Sequence, residues 1–166
     1  MKKLFILMII ISSFTFGKIK VGLVLSVSCL EDPVINSTAY KGLLMAKKDF
    51  DIDIKYIEPS SISDGESYLR DFAEENYDLI IGTGYLMKDP IEKVANEFPN
   101  INFALIEETS QLPNVKSLIF ETEEGSFLVG ALAAMMSKTG KIGFIGPMET
   151  PLTRKFQVGY EKGAKY

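Results

Sequence analysis

Residues 18–58 read KIKVGLVLSVSCLEDPVINSTAYKGLLMAKKDFDIDIKYIE. The first nine, KIKVGLVLS, are a near-continuous apolar run rich in β-branched residues, the pattern of a strand covered on both faces in a parallel sheet. An Asp-Pro break follows, and Ser37 to Phe50 then reads as a helix whose apolar face carries Leu43, Leu44 and Ala46. IDIKYIE, residues 52–58, is a second strand. Strand, helix and strand in so short a span make a βαβ unit, the connection that parallel strands require.

The alternation continues outward. Asp64 to Asn76 (DGESYLRDFAEEN) has Tyr68, Leu69 and Phe72 at helical spacing, with Asp64 as an expected N-cap. YDLIIGTG is a third strand ending in a glycine turn. Asp89-Pro90 opens a third helix with proline at its first position, and the helix ends near Phe98-Pro99. INFALIEE and VKSLIFE are strands four and five. Glu121 to Ser137 is a helix rich in small residues, KIGFIG (141–146) is a sixth strand, and Pro151 to Lys162 is a last helix. The expected fold class is α/β, a doubly wound parallel sheet of Rossmann or flavodoxin-like form. Five strands complete such a sheet, so the sixth strand and its helix read as the opening of a second unit, and the chain reads as a fragment of a larger protein.

The amino-terminal stretch MKKLFILMIIISSFTFG has a Lys2/Lys3 start, an apolar run from Leu4 to Ile11 and small or polar residues before Gly17, the pattern of a secretory signal peptide over residues 1–17. The apolar run is shorter than the roughly 20 residues a membrane-spanning helix needs. The protein is thus expected to be exported, to a periplasm or the cell surface. Removing the leader takes two of 18 basic residues and none of the 22 acidic ones, moving the net charge from −4 to −6, which argues against a nucleic-acid partner.

Cys29 is the only cysteine, so no intrachain disulfide forms. It makes no convincing lipid-attachment site, because Lys18 and Lys20 separate it from the apolar run and cleavage there would delete the first strand. The sequence has no histidine. That removes the Ser-His-Asp triad and most zinc sites, both of which depend on imidazole. With no paired-carboxylate motif either, an enzyme is the less favoured reading, any general base being left to a carboxylate or a lysine, and no cofactor and no metal are expected.

In open α/β sheets ligands lie beyond the carboxyl ends of the strands, near a switch point in strand order. At the end of strand one, Asp32-Pro33 is explained as N-cap and first helical residue, and it also lies where a ligand would. Asn36 sits in the first helical turn, and its amide can both donate to and accept from a polar ligand. At the end of strand three, Gly82-Thr83-Gly84-Tyr85 fails as a dinucleotide fingerprint because Met87 stands where a third glycine belongs. What remains is a tight turn at Gly84 that lets main-chain N–H groups approach a ligand, with Thr83 beside it and with Tyr85 available either to stack on a ring or to pack. At the end of strand four, Glu107 follows four apolar residues; it is either a solvated turn charge or an acceptor for two hydroxyls of a sugar diol.

Several stretches together resemble one family: YDLIIGTGYLM, VANEFPNINFALIEE, EEGSFLVGALAAMMSKTGKIGFIGPMETPLTRKFQVGYEKGAKY, and the Asp-x-x-x-Asn-x-x-x-x-x-Gly of residues 32–42. They are similar to the basic membrane protein (Bmp/Med) family of substrate-binding proteins, which includes purine nucleoside receptors of ABC transporters. The resemblance implies a type I periplasmic binding protein with two lobes closing on a small-molecule, nucleoside-like ligand, and an ABC transporter permease as partner. On that basis residues 18–118 are the amino-terminal ligand-binding lobe, and residues 119–166 are a crossover helix and the beginning of the second. The family's ligand loop implies ligand-binding roles at Ser26, Asp32, Ile35 and Asn36, with Glu107 in place of a ribose-binding aspartate. Asn36 and Asp32 match the family pattern. Ser26 stands for an aspartate, Ser28 and Cys29 for glycines, and Ile35 for the aromatic residue that stacks on the purine, so purine specificity is the part of the implication least supported by these residues. Two further readings share the local features: a ligand sensor of the same fold that reports to a membrane signalling protein, and an α/β enzyme acting on nucleosides or sugars.

Overall fold

The computed structural model describes residues 17–27, 35–146 and 149–166. The leader up to Phe16, the Asp32-Pro33 break, Cys29 and the Pro147-Met148 turn lie outside the described residues. The elements are β1 (Ile19–Val24), α1 (Ile35–Asp49), β2 (Ile52–Ile57), α2 (Ile62–Glu74), β3 (Leu79–Thr83), α3 (Lys88–Glu97), β4 (Asn102–Ile106), β5 (Val115–Leu118), α4 (Thr122–Met136) and α5 (Pro151–Lys165). The five strands form one parallel sheet in the order β2-β1-β3-β4-β5. That is the doubly wound arrangement expected, with its switch point between β1 and β3.

β1 shows why the sheet must be covered on both faces. Val24 points into a core built from Leu69, Phe72 and Ala73 of α2, Ile91, Val94 and Ala95 of α3, and Ile80, Phe103 and Leu105 of the inner strands. Val21, Leu23 and Leu25 point the other way, into a smaller core with Leu43 of α1. Two glycines allow close helix approach on the first face. A Cβ on Gly22 would meet the Phe72 ring at 2.6 Å, and one on Gly82 would overlap Ile91 Cδ1. Among the described residues the second face carries only α1, and the floor formed by Leu79, Ile81 and Ile106 lines an apolar groove of about 610 Å³.

Three expectations are corrected. The α2 N-cap is Ser61, whose hydroxyl accepts from the Asp64 N–H at 3.1 Å, so Asp64 is the third helical residue and not the cap. Pro90 is the third residue of α3, which starts at Lys88 after a single 3-10 turn, Tyr85–Met87; a missing N–H costs nothing anywhere in the first turn. Residues 141–146 form no strand. They run exposed between α4 and α5, because a strand exists only where a neighbour takes its main-chain groups, and β5 does not pair with them.

Helices α4 and α5 pack closely on each other. Added Cβ atoms at Gly130, Gly159 and Gly163 would overlap the carbonyls of Tyr160, Glu123 and Phe127, and Ser126 Oγ donates to the Phe156 carbonyl at 2.6 Å. Leu128, Leu132, Met135 and Met136 of α4 remain exposed.

Candidate functional site

The carboxyl ends of β1, β3 and β4 stand side by side, with Val24 opposite Gly82 and Thr83 opposite Ile106. Directly beyond β1, the Ser26 N–H donates to Thr83 Oγ1 at 2.8 Å and to Asn36 Oδ1 at 3.2 Å. Asn36 Nδ2 returns a bond to the Ser26 carbonyl at 3.2 Å, and the Thr83 hydroxyl donates to Asn36 Oδ1 at 2.8 Å. Asn36 and Thr83 are both completely buried. The three residues form a polar clasp that ties the end of β1 to the end of β3 and to the first turn of α1. Buried polar groups of this kind are tolerated only when satisfied, and here each satisfies the others.

The glycine turn after β3 takes the form its sequence suggests. Gly84 has φ +81°, its N–H donates to the Ile106 carbonyl at 3.0 Å, and its carbonyl accepts from Met87 at 3.1 Å. A side chain would be strained there, and Ser26 lies just outside its Cα. Tyr85 follows at once and is 44% exposed, so its ring is presented at the rim of the switch point.

Glu107 leaves the end of β4 with φ +70°, in the left-handed region where a non-glycine residue is uncommon. Its N–H continues the ladder by donating to the Leu118 carbonyl at 2.9 Å, so the unusual dihedral is held by sheet pairing on β5. The side chain lies at a junction: it borders the apolar groove together with Ile35 and Phe120, and a second hollow of about 140 Å³ with Thr109, Thr122 and Lys155. Strain held at such a place is the kind of feature that accompanies ligand sites.

Ser26, Asn36, Gly84 and Tyr85 are thus gathered at the β1/β3 end, Glu107 follows one strand over, and Ile35 opens α1 between the clasp and the groove. Asp32 lies outside the described residues. Sequence reasoning noticed Thr83 only as a neighbour of the turn. The signal that marks it is a hydroxyl as the last residue of an otherwise apolar buried strand. The groove left nothing in the local sequence, since its apolar floor reads as ordinary strand.

A family model described as "ABC transporter substrate-binding protein PnrA-like" matches residues 19–166. The chain belongs to this family. It is 37% identical over 158 residues to basic membrane protein B of Borreliella burgdorferi, covering 90% of this chain and 46% of that one. It is 32% identical over 151 residues to a CD4+ T-cell-stimulating antigen of Listeria monocytogenes, covering 87% and 42%. A crystal structure of ABC transporter system solute-binding proteins from Aeropyrum pernix K1 superposes with a TM-score of 0.80 at 31% identity, covering 89% of this chain and 43% of that one. The chain therefore spans less than half the length of these three proteins, and its fold is that of the solute-binding proteins. No helix among the described residues is long and apolar enough to cross a membrane.

Proposed function

We propose that this chain is the first lobe, residues 18–118, and the start of the second lobe, residues 119–166, of an exported solute-binding protein serving an ABC importer. In this reading a nucleoside or similar small polar ligand sits between the lobes, against Ser26, Asp32, Ile35, Asn36, Gly84, Tyr85 and Glu107. What carries it is the convergence of Ser26, Asn36 and Gly84 at the β1/β3 switch point in a chain of a substrate-binding family.

Each group has a task. Glu107 accepts hydroxyl hydrogen bonds, as a carboxylate with two oxygens can for a vicinal diol. Tyr85 offers an aromatic face where Ile35 cannot, and Gly84 lets the backbone come close. Asn36 fixes the Ser26 peptide, so that its effect on binding passes through the position of the loop after β1. Binding then closes the lobes about a hinge and presents both outer surfaces to the permease, without covalent chemistry.

Thermal-shift screening of the protein with both lobes against nucleosides, sugars and amino acids tests this. A rise in melting temperature with nucleosides supports the ligand class, since a ligand that binds only the folded state stabilises it in proportion to the logarithm of its concentration. A shift with amino acids or sugars alone rejects the nucleoside assignment, and no shift with any class rejects the solute-binding reading.

A further inference from the structure

β2 is an edge strand: it pairs with β1 and, among the described residues, no strand lies on its other side. An unpaired edge is a template for another strand unless it is covered, bulged, broken by proline or blunted by charge; among the described residues nothing covers residues 52–57, and the exposed charges they carry are one acid, Asp53, and one base, Lys55, which repel a strand of the wrong pattern but suit a complementary one. The Leu25 N–H donates to the Ile57 carbonyl at 3.0 Å. Alternation along the strand then turns the main-chain groups of Ile57, Lys55 and Asp53 toward β1 and those of Ile54 and Tyr56, with the Ile52 carbonyl, outward; the Ile52 N–H donates to the Phe50 carbonyl at 3.0 Å.

We infer that two copies of this chain associate through their β2 edges, antiparallel about a two-fold axis at Ile54. Such a pairing places Ile54 opposite its own copy as a hydrogen-bonded pair and Ile52 opposite Tyr56 of the second copy. Asp53 then faces Lys55 of the second copy, and Lys55 faces Asp53. Those are non-hydrogen-bonded pairs, in which side chains approach most closely. Opposite charges directly across an antiparallel pair are stabilising and like charges are not.

The charge pattern also selects the register. The adjacent antiparallel registers that still let outward groups meet are centred on Asp53 or on Lys55, and each sets like charges against one another. The register centred on Asp53 also sets Lys55 against Asp51 of the second copy, but it places Asp53 against itself; only the register centred on Ile54 pairs acid with base on both sides of the axis without a like-charge pair. Asp53 and Lys55 are exposed; Lys55 lies 3.9 Å from Glu75 and 5.4 Å over the Phe72 ring, both surface contacts that a closer carboxylate would displace. On the opposite face of the sheet an apolar border flanks the edge: the Tyr56 ring packs tilted against that of Tyr40 of α1, with centroids 4.4 Å apart, and Leu44, one turn on, is 43% exposed. The dimer would join two five-stranded sheets into one and leave the strand ends of both copies open, so it is compatible with the proposed ligand site but does not depend on it.

Sedimentation velocity of the purified protein, over a concentration series into the high micromolar range, measures the association. The expected result is a monomer–dimer equilibrium that Asp53→Lys weakens by about tenfold or more, because both symmetry-related pairs become lysine against lysine. The charge swap Asp53→Lys/Lys55→Asp restores opposite charges and returns the dimer to within about threefold of the wild type. Asp53→Asn, which removes charge without adding repulsion, gives an intermediate loss and remains readable if the lysine variant misfolds by circular dichroism. A wild-type protein that stays monomeric, or a dimer indifferent to Asp53→Lys, or a charge swap that fails to rescue a folded protein, overturns the inference. The second of these outcomes points to the exposed faces of α4 instead.

Discussion

The clasp at the switch point makes a quantitative demand on stability. Thr83→Val keeps the shape of the side chain and removes the hydroxyl that donates to Asn36 Oδ1 and accepts from the Ser26 N–H. Two buried hydrogen bonds at about 0.5 to 1.5 kcal/mol each give an expected loss of about 1 to 3 kcal/mol. Asn36→Ala removes the bonds to both ends of the Ser26 peptide and to Thr83, leaving the Thr83 hydroxyl without its acceptor, so it costs about 2 to 4 kcal/mol. Because the two side chains share one bond and one partner, the double variant loses less than the sum, by a coupling of about 0.5 to 2 kcal/mol. Urea unfolding of the four proteins reads this directly from the midpoints, provided the slopes agree. Thr83→Ser, which keeps the hydroxyl, retains the coupling. If Thr83→Val and Asn36→Ala add within about 0.3 kcal/mol, the two residues act independently and the clasp is not a unit.

Glu107→Gly removes the left-handed strain and Glu107→Ala does not, so the glycine variant is more stable than the alanine variant by about 1 kcal/mol, while both weaken ligand binding; equal urea midpoints would remove strain from the account. Gly163→Ala pushes a methyl group into the Phe127 carbonyl and separates α4 from α5, which circular dichroism and limited proteolysis register as loosened helices, at about 1 to 3 kcal/mol. Arg70 binds Glu97 at 2.9 Å and Glu66 at 3.2 Å, and Lys93 also pairs with Glu66. Lys93 and then Arg70 hold the Glu66 carboxyl below the usual range, and Arg70 does the same to Glu97. Carboxyls with depressed folded values stabilise above their unfolded values and lose that contribution as pH falls through the folded ones. Arg70→Met is therefore less stable than wild type at neutral pH, and the gap closes in acid below about pH 4; a gap independent of pH denies the network that role.

Most of the sheet was legible because the inner strands β1, β3 and β4 are largely buried and so read as apolar runs, β1 above all, while the more exposed edge strands β2 and β5 still alternate with helices. The sixth strand was not, since KIGFIG has strand composition but pairing is decided by what lies alongside, and nothing described does. Ser61 and Asp64 are both good capping residues three apart, and only the chain's path chooses between them. At the site, glycine in the turn at 84 and the carboxylate at the end of β4 announced themselves by residue type. The involvement of Thr83 did not: threonine is at home in strands, and its bond to Asn36 crosses from β3 to α1 over 47 residues of sequence. The departures at Ser26 and Ile35, visible in the sequence alone, now have a structural setting. Ser26 meets the clasp through its main chain, which any residue could supply, so a serine in place of an aspartate there leaves the framework intact.

The account stands or falls on the strand ends as a ligand site. Calorimetric titration of the two-lobed protein with a purine nucleoside, comparing wild type with Asn36→Ala and Glu107→Ala, tests it most directly. The account predicts saturable binding by wild type and a loss of about tenfold or more in each variant, from the missing hydrogen-bonding carboxylate in Glu107→Ala and from the released Ser26 main chain in Asn36→Ala. Binding as tight as wild type in both variants would contradict it.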